Sequence, residues 1–199
     1  MFLENPVNKH SDTGWIEVIS GSMFSGKTEE LIRRLKRAQI AQQKVAIYKP
    51  AMDRRYSESD VVSHDQNSIP STPVESSEKL LSITTGIDVI GIDEAQFFDH
   101  DIVEVTNQLA NRGARVIVAG LDMDFQGKPF GPMPYLMATA EYVTKVHAIC
   151  MRTGNLAHYS YRKSSDIDLV KLGEGEEYEP LSRAAYLALR NLAKEKKDG

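Results

Sequence analysis

The chain has 199 residues, 26% of them charged, and its 24 Lys and Arg against 28 Asp and Glu give a formal net charge of −4. That balance disfavours a partner held mainly by neutralising a phosphate backbone, and no apolar run approaches the ~18 residues of a membrane span. The length suits one α/β domain of about 150 residues plus an appendage, and the single cysteine, Cys150, leaves no internal disulfide and no multi-cysteine metal cluster.

Met1 to Thr13 is polar and aperiodic and reads as a flexible arm. It has neither the basic start nor the apolar stretch of a leader, so a cytoplasmic location is expected. Trp15-Ile16-Glu17-Val18-Ile19 alternates as a strand and runs into Gly21-Ser22-Met23-Phe24-Ser25-Gly26-Lys27-Thr28, which satisfies G-x-x-x-x-G-K-[ST]. Leu31, Ile32, Leu35 and Ala38 then fall on one face at helical spacing, with Glu29 and Glu30 in the first turn, where the helix dipole favours anions. Strand, glycine-bearing loop and helix in that order make a phosphate cradle. Gly21 and Gly26 let the backbone fold around an anion, so that N–H groups and the helix N-terminus point at it. Lys27 is then expected to reach the β/γ-phosphates of a nucleotide and the Thr28 hydroxyl to sit on Mg2+.

Lys44 to Tyr48 reads as a second strand. Ser63 to Ser77, rich in Ser and Pro, reads as a surface loop whose only core residues are Ile69 and Val74. Ile87, Val89, Ile90 and Ile92 form a buried strand ending at Asp93. A helix follows, capped by Asp99 or Asp101, lined by Ile102, Val105 and Leu109 and ended by Gly113. Arg115 to Gly120 is the next strand, Met133 to Ala140 a short helix and Val143 to Ile149 a last strand. The β-α-β rhythm implies a mostly parallel sheet with helices on both faces. After Cys150 the rhythm stops. A polar stretch and the acidic Gly173-Glu174-Gly175-Glu176-Glu177 precede one more helix, marked by Leu181, Ala185, Leu189 and Leu192.

The cradle alone fits kinases, ATPases, GTPases and helicases, so Asp93-Glu94-Ala95-Gln96 carries the discrimination. Successive side chains at a strand end diverge: Asp93 can hold Mg2+ while Glu94 points toward a nucleophile and accepts its proton. The same four letters occur in a helicase motif, but a helicase needs a second nucleotide-binding-type domain and a basic channel for its strand. Only about a hundred residues follow Asp93, and the last 50 are neutral to acidic.

Five segments in order resemble type II thymidine kinase: 21–28, Lys49-Pro50 with Asp53 to Tyr56, Ser63-His64-Asp65, Asp93 to Phe97, and Gly120 to Phe125 with Lys128 to Gly131. The resemblance runs colinearly over residues 15 to 180. It implies a P-loop domain over 14–149, a small domain over 150–193 that carries a lasso and ends in a helix, and a tail over 194–199. It also implies ATP-dependent phosphorylation of the 5′-hydroxyl of thymidine, and of deoxyuridine, to the monophosphate for nucleotide salvage. Glu94 matches the general base, Asp53 and Arg55 the acidic and basic pair near the transferring phosphate, and Thr28 with Asp93 the Mg2+ site. The cradle from Gly21 to Thr28, with Asp93 and Gln96, matches the ATP site. Met23, Phe97, Leu121, Phe125 and Phe130 match the wall around thymine, and Tyr178 the aromatic that closes over the nucleoside. Leu169, Val170, Lys171, Leu172 and Gly173 match the lasso strand whose backbone reads the base edge. A homotetramer, feedback by dTTP and no nucleic-acid or membrane partner are implied as well. The alternatives are a catalytically weakened nucleotide-binding module on the same fold and, less well matched, a helicase-like ATPase.

One departure stands out. The family's small domain carries two Cys-x-x-Cys pairs that hold zinc, whereas here the four positions read Cys150, Thr153, Ser182 and Ala185. One thiol cannot hold a structural zinc, so none is expected. The apolar pattern of Ala184, Ala185, Tyr186, Leu187, Leu189 and Leu192 suggests that a helix replaces the metal as the staple.

Overall fold

A computed structural model describes residues 13–51, 60–61, 69–164 and 177–198. Strand β1 (Trp15–Gly21) leads through the cradle into α1 (Lys27–Ile40). Strands β2 (Val45–Pro50), β3 (Asp60–Val61) and β4 (Ile69–Val74) follow, then α2 (Ser77–Ile83) and β5 (Val89–Ile92). A single 3-10 turn over Ala95–Phe97 leads to α3 (Ile102–Asn111), β6 (Arg115–Leu121), α4 (Met133–Thr139) and β7 (Tyr142–Val146). These strands form one sheet in the order β3-β4-β2-β5-β6-β1-β7. Every pairing in it is parallel except β3 with β4.

Alternation along the strands sorts side chains to two faces. Ile16 and Val18 of β1 and Val116 and Val118 of β6 pack with α2, α3 and α4 through Leu80, Ile102, Val105, Met133 and Leu136. Ile19, Ile117 and Ala119 turn the other way, onto Leu31, Ile32, Leu35 and Ala38 of α1. Glu17 shares that second face, and an ion-pair network buries it. Arg34 of α1, fully buried, holds Glu17 at 2.8 Å and Glu30 at 2.8 Å, while Arg115 of β6 meets Glu17 at 2.7 Å. Helix α1, and with it the cradle, is thereby locked onto β1 by charge as well as by apolar contact.

Beyond β7, the described residues build two small antiparallel ladders and a helix. Strand β8 (Ala148–Ile149) pairs with β9 (Leu156–Ala157), β10 (Tyr159–Arg162) pairs with β11 (Tyr178–Leu181), and α5 covers Arg183–Asp198.

Four local expectations change. The surface loop expected over 63–77 contains a strand, because Ile69–Val74 pairs with β2 and buries Ile69 and Val74; Pro70 and Pro73 conceal it from a pattern search. The strand expected over 143–149 divides at His147, its first part joining the main sheet and its second pairing with β9. Of the two expected caps, Asp101 stands at the N-cap position of α3 but makes no side-chain cap bond, while the Asp99 carboxylate accepts from the amide and hydroxyl of Ser77 and so ties α2 to α3. Helix α5 continues to Asp198 instead of fraying from Lys194, and only part of its apolar pattern is used: Ala185 and Tyr186 are buried, whereas Leu187 and Leu192 are exposed.

Candidate active site

The C-terminal ends of β5, β6 and β1 stand side by side, and the loops leaving them form the site. A side chain at Gly21 would begin 2.2 Å from the Val146 carbonyl of β7, so only glycine lets β1 turn into the cradle. Gly26, at φ 79°, is the left-handed residue from which α1 departs. Between them the loop is braced internally. The Ser22 carbonyl accepts from the Ser25 hydroxyl at 2.7 Å and from the Lys27 ammonium at 2.8 Å. Burial lowers the Lys27 pKa, opposed by the charges of Glu94, Asp93, Asp122 and Glu29. The ammonium is held inside the loop by the Ser22 carbonyl, a weak partner that a phosphate oxygen entering the cradle can replace.

Opposite the lysine, Asp93 leaves β5 with its amide bonded to the Tyr48 carbonyl. Its carboxylate accepts from the Thr28 hydroxyl at 3.1 Å and from the Glu94 amide at 2.9 Å. Burial, and after it the repulsion of Glu94, raises the Asp93 pKa to about 7. Glu94 takes φ 52°, a left-handed conformation uncommon outside glycine and asparagine. Gln96 completes the corner: its amide nitrogen donates to Glu94, and its amide oxygen accepts from Leu121 N at 2.9 Å. Gln96 therefore spans β5 and β6 and fixes the Glu94 carboxylate.

The aromatic positions gather beside this corner. Phe97 and Phe130 meet edge to face at 5.6 Å, with Phe130 buried. Phe125 lies under the Arg162 guanidinium at 3.9 Å, and the same guanidinium donates to the Tyr178 hydroxyl at 2.6 Å. Leu121 ends β6. A cavity of about 310 Å³ is lined by Phe97 with Pro50, Ala51, Val74, Glu75, Phe98 and Asp99. Asp53, Arg55 and the stretch 169–173 lie outside the described residues.

Three contributors were not foreseen. The Ser160 hydroxyl of β10 accepts from the Met23 amide inside the cradle at 2.9 Å, and the Ser22 hydroxyl donates to the Ala157 carbonyl at 3.5 Å. Arg162 links Phe125 to Tyr178 as described. Asp122, buried at the end of β6, lies 2.6 Å from the Lys145 ammonium of β7. Only Asp122 sat within a segment that had drawn attention; a lone serine or arginine in a polar stretch carries no periodic or motif signal.

The family model for thymidine kinase matches residues 14–186. A thymidine kinase of Bacteroides thetaiotaomicron is 60% identical over 190 residues, covering 96% of either chain. One from Porphyromonas gingivalis is 59% identical over 182 residues, 90% of this chain and 89% of its own. One from a Rhodothermus species is 58% identical over 187 residues, 94% of this chain and 88% of its own. The chain belongs to the thymidine kinase family. It is a kinase, and the helicase-like alternative falls away. The thymidine kinase match runs from the start of β1 into α5, so it takes in the cradle, the acidic corner and both small ladders. Among the described residues, no helix of this thymidine kinase family member is long and apolar enough to cross a membrane.

Proposed function

We propose that this protein transfers the γ-phosphoryl group of ATP to the 5′-hydroxyl of thymidine, and less well of deoxyuridine, yielding the 5′-monophosphate. The observation that carries this reading is the corner where Lys27, Thr28, Asp93 and Glu94 meet: a cradle lysine, a hydroxyl–carboxylate pair and a second, separately held carboxylate. Phosphoryl transfer through a loose transition state asks for position and charge neutralisation more than for covalent help. The cradle amides from Gly21 to Thr28 bind the ATP phosphates, and Lys27 leaves the Ser22 carbonyl to meet them. Thr28 and Asp93 fit Mg2+, since they offer a hydroxyl and a carboxylate oxygen 3.1 Å apart and the buried acid beside Glu94 is a pair that a cation stabilises. When bound there, the ion offsets charge on the β- and γ-phosphates.

Glu94 accepts the proton of the attacking 5′-hydroxyl, and Gln96 holds it in place for that step. Met23, Leu121, Phe97, Phe125 and Phe130 enclose thymine, with Tyr178 closing the wall through Arg162. Asp53 and Arg55 act at the transferring phosphate and Leu169 to Gly173 read the base edge, on the strength of the resemblance. On the same ground we assign a division into a nucleotide-binding unit over 14–149 and a small acceptor-side unit over 150–193, a cytoplasmic location, a homotetramer and feedback by dTTP.

The test is a product assay with ATP and Mg2+ against thymidine, deoxyuridine, deoxycytidine and purine deoxynucleosides. Thymidine monophosphate should dominate, with deoxyuridine monophosphate second. Phosphorylation of deoxycytidine or purines without thymidine would overturn the acceptor assignment, and ATP binding without any product would favour the weakened nucleotide-binding module.

A further inference from the structure

The four positions at which the family places zinc-binding cysteines still converge, although three of them have lost their thiols. Cys150 closes β8 and begins a tight turn in which the Gly154 amide donates to the Cys150 carbonyl at 2.8 Å, with Gly154 at φ 68°. Thr153, in that turn, donates its hydroxyl to the Ser182 hydroxyl at 3.1 Å. Ser182 also accepts from the Ala185 amide at 3.4 Å, which is how a serine caps the first turn of a helix, here α5. Cys150 is buried beside this pair; burial works against its thiolate, and the neighbouring donors of Thr153, Ser182 and Arg152 outweigh burial and lower its pKa. Ala185 belongs to one buried cluster with Cys150, Ala157, Tyr159, Leu181 and Tyr186. The side chains thus offer one thiol, two hydroxyls bonded to each other and a methyl.

This donor set does not fit zinc. A structural site takes four sulfur or nitrogen ligands, and a neutral hydroxyl already engaged in capping a helix is not one of them. The nearby imidazoles do not make up the difference. His147 and His158 meet edge to face at 4.6 Å, and among the described residues no three His, Cys, Asp or Glu side chains are grouped to hold a metal.

We infer that the metal knuckle of this fold has become a metal-free joint in this chain, in which the Thr153–Ser182 hydrogen bond, the capped start of α5 and burial of Cys150 with Ala185 replace zinc without moving the four positions apart. Neighbouring contacts reinforce the joint. Arg152 grips Glu179 through two bonds of 2.6 and 2.7 Å, Tyr159 stacks on Tyr186 at 4.2 Å and 10°, and the Tyr186 hydroxyl donates to the Phe125 carbonyl. The last contact extends the joint to the loop that carries the acceptor-side aromatics.

Because the positions have stayed together, restoring the thiols restores the site. The full-length triple variant T153C/S182C/A185C should bind about one zinc per chain, and a zinc-selective chelator should lower its melting temperature. The unaltered protein should hold less than about 0.1 zinc per chain and melt within about 1 °C of the same temperature with or without the chelator, in excess Mg2+. Ser182→Ala should lower the melting temperature by about 2–4 °C. Near-stoichiometric zinc in the unaltered protein, or a melting temperature that falls on chelation, overturns the inference. So does a folded triple variant that takes up no zinc, or a Ser182→Ala variant with unchanged melting. If the triple variant does not fold, metal content of the unaltered protein and the Ser182→Ala melt decide alone. All of these readouts are independent of which nucleoside the enzyme phosphorylates.

Discussion

Glu94 carries backbone strain and a proposed chemical duty in one residue. Its φ of 52° costs of order 1 kcal/mol in a residue with a Cβ, and Gln96 and the Asp93 carboxylate hold it there from either side. Two substitutions separate strain from chemistry. Glu94→Gln should keep ATP binding and lower kcat by about 10²–10⁴-fold, measured by steady-state kinetics beside nucleotide titration; unchanged turnover would remove it as the base. Glu94→Gly should be as inactive yet more stable by about 0.4–1 kcal/mol, seen as a raised melting temperature. Asp93 gives a pH signature. Burial and then Glu94 raise its carboxyl from the ordinary 3.8 to about 7, so its protonated form favours the folded state. That contribution is complete below the unfolded value and is lost as pH rises through about 7. In Mg2+-free buffer, Asp93→Asn should therefore gain stability relative to the unaltered protein between pH 4 and pH 8. A constant difference across that range would refute the shift.

At the scale of elements, α1 and β10 determine how firmly the cradle is held. Arg34 has no exposed surface and serves Glu17, Glu30 and Thr144 at once. Truncating it leaves the Glu17 carboxylate buried, relieved only by Arg115 and the Trp15 indole. Arg34→Ala should cost about 3–5 kcal/mol by denaturant titration, and a loss below 1 kcal/mol would mean the network relaxes into water. On the other side, Ser160→Ala strips the Met23 amide of its acceptor, so KM for ATP should rise several-fold, about 0.5–1.5 kcal/mol, with kcat nearly unchanged, while Ser160→Thr keeps both. Equal kinetics for all three proteins would leave that bond without function. Neither α1's charge lock nor Ser160 announces itself in sequence. Glu17 reads as the polar half of a strand alternation and Arg34 as a helix surface residue, because nothing local reports that two such positions face each other across a sheet and a helix. Strand β4 escaped for a different reason: its prolines at 70 and 73 break the apolar rhythm, and burial of Ile69 and Val74 against the sheet overrides that local preference.

For the molecule as a whole, the order β5-β6-β1 is what turns two sequence motifs into one site, since the strand between cradle and acidic corner brings Leu121 and Asp122 to the same edge. The motifs at 21–28 and 93–97 were legible because glycine, lysine and paired acids have stringent local requirements. The joint at 150–185 was legible only as a loss, because the Thr153–Ser182 hydrogen bond and the Ser182 cap of α5 need coordinates to be seen. The cradle's grip on the small ladders has a consequence for cooperativity. Met23 and Ser22 bond directly to Ser160 and Ala157, so the loop at 21–28 and the strands at 156–162 share contacts that neither can keep alone. Amide exchange at 21–28 and at 156–162 should therefore open in a single event, and a half-melted enzyme that still holds ATP but exposes it to bulk water should not accumulate.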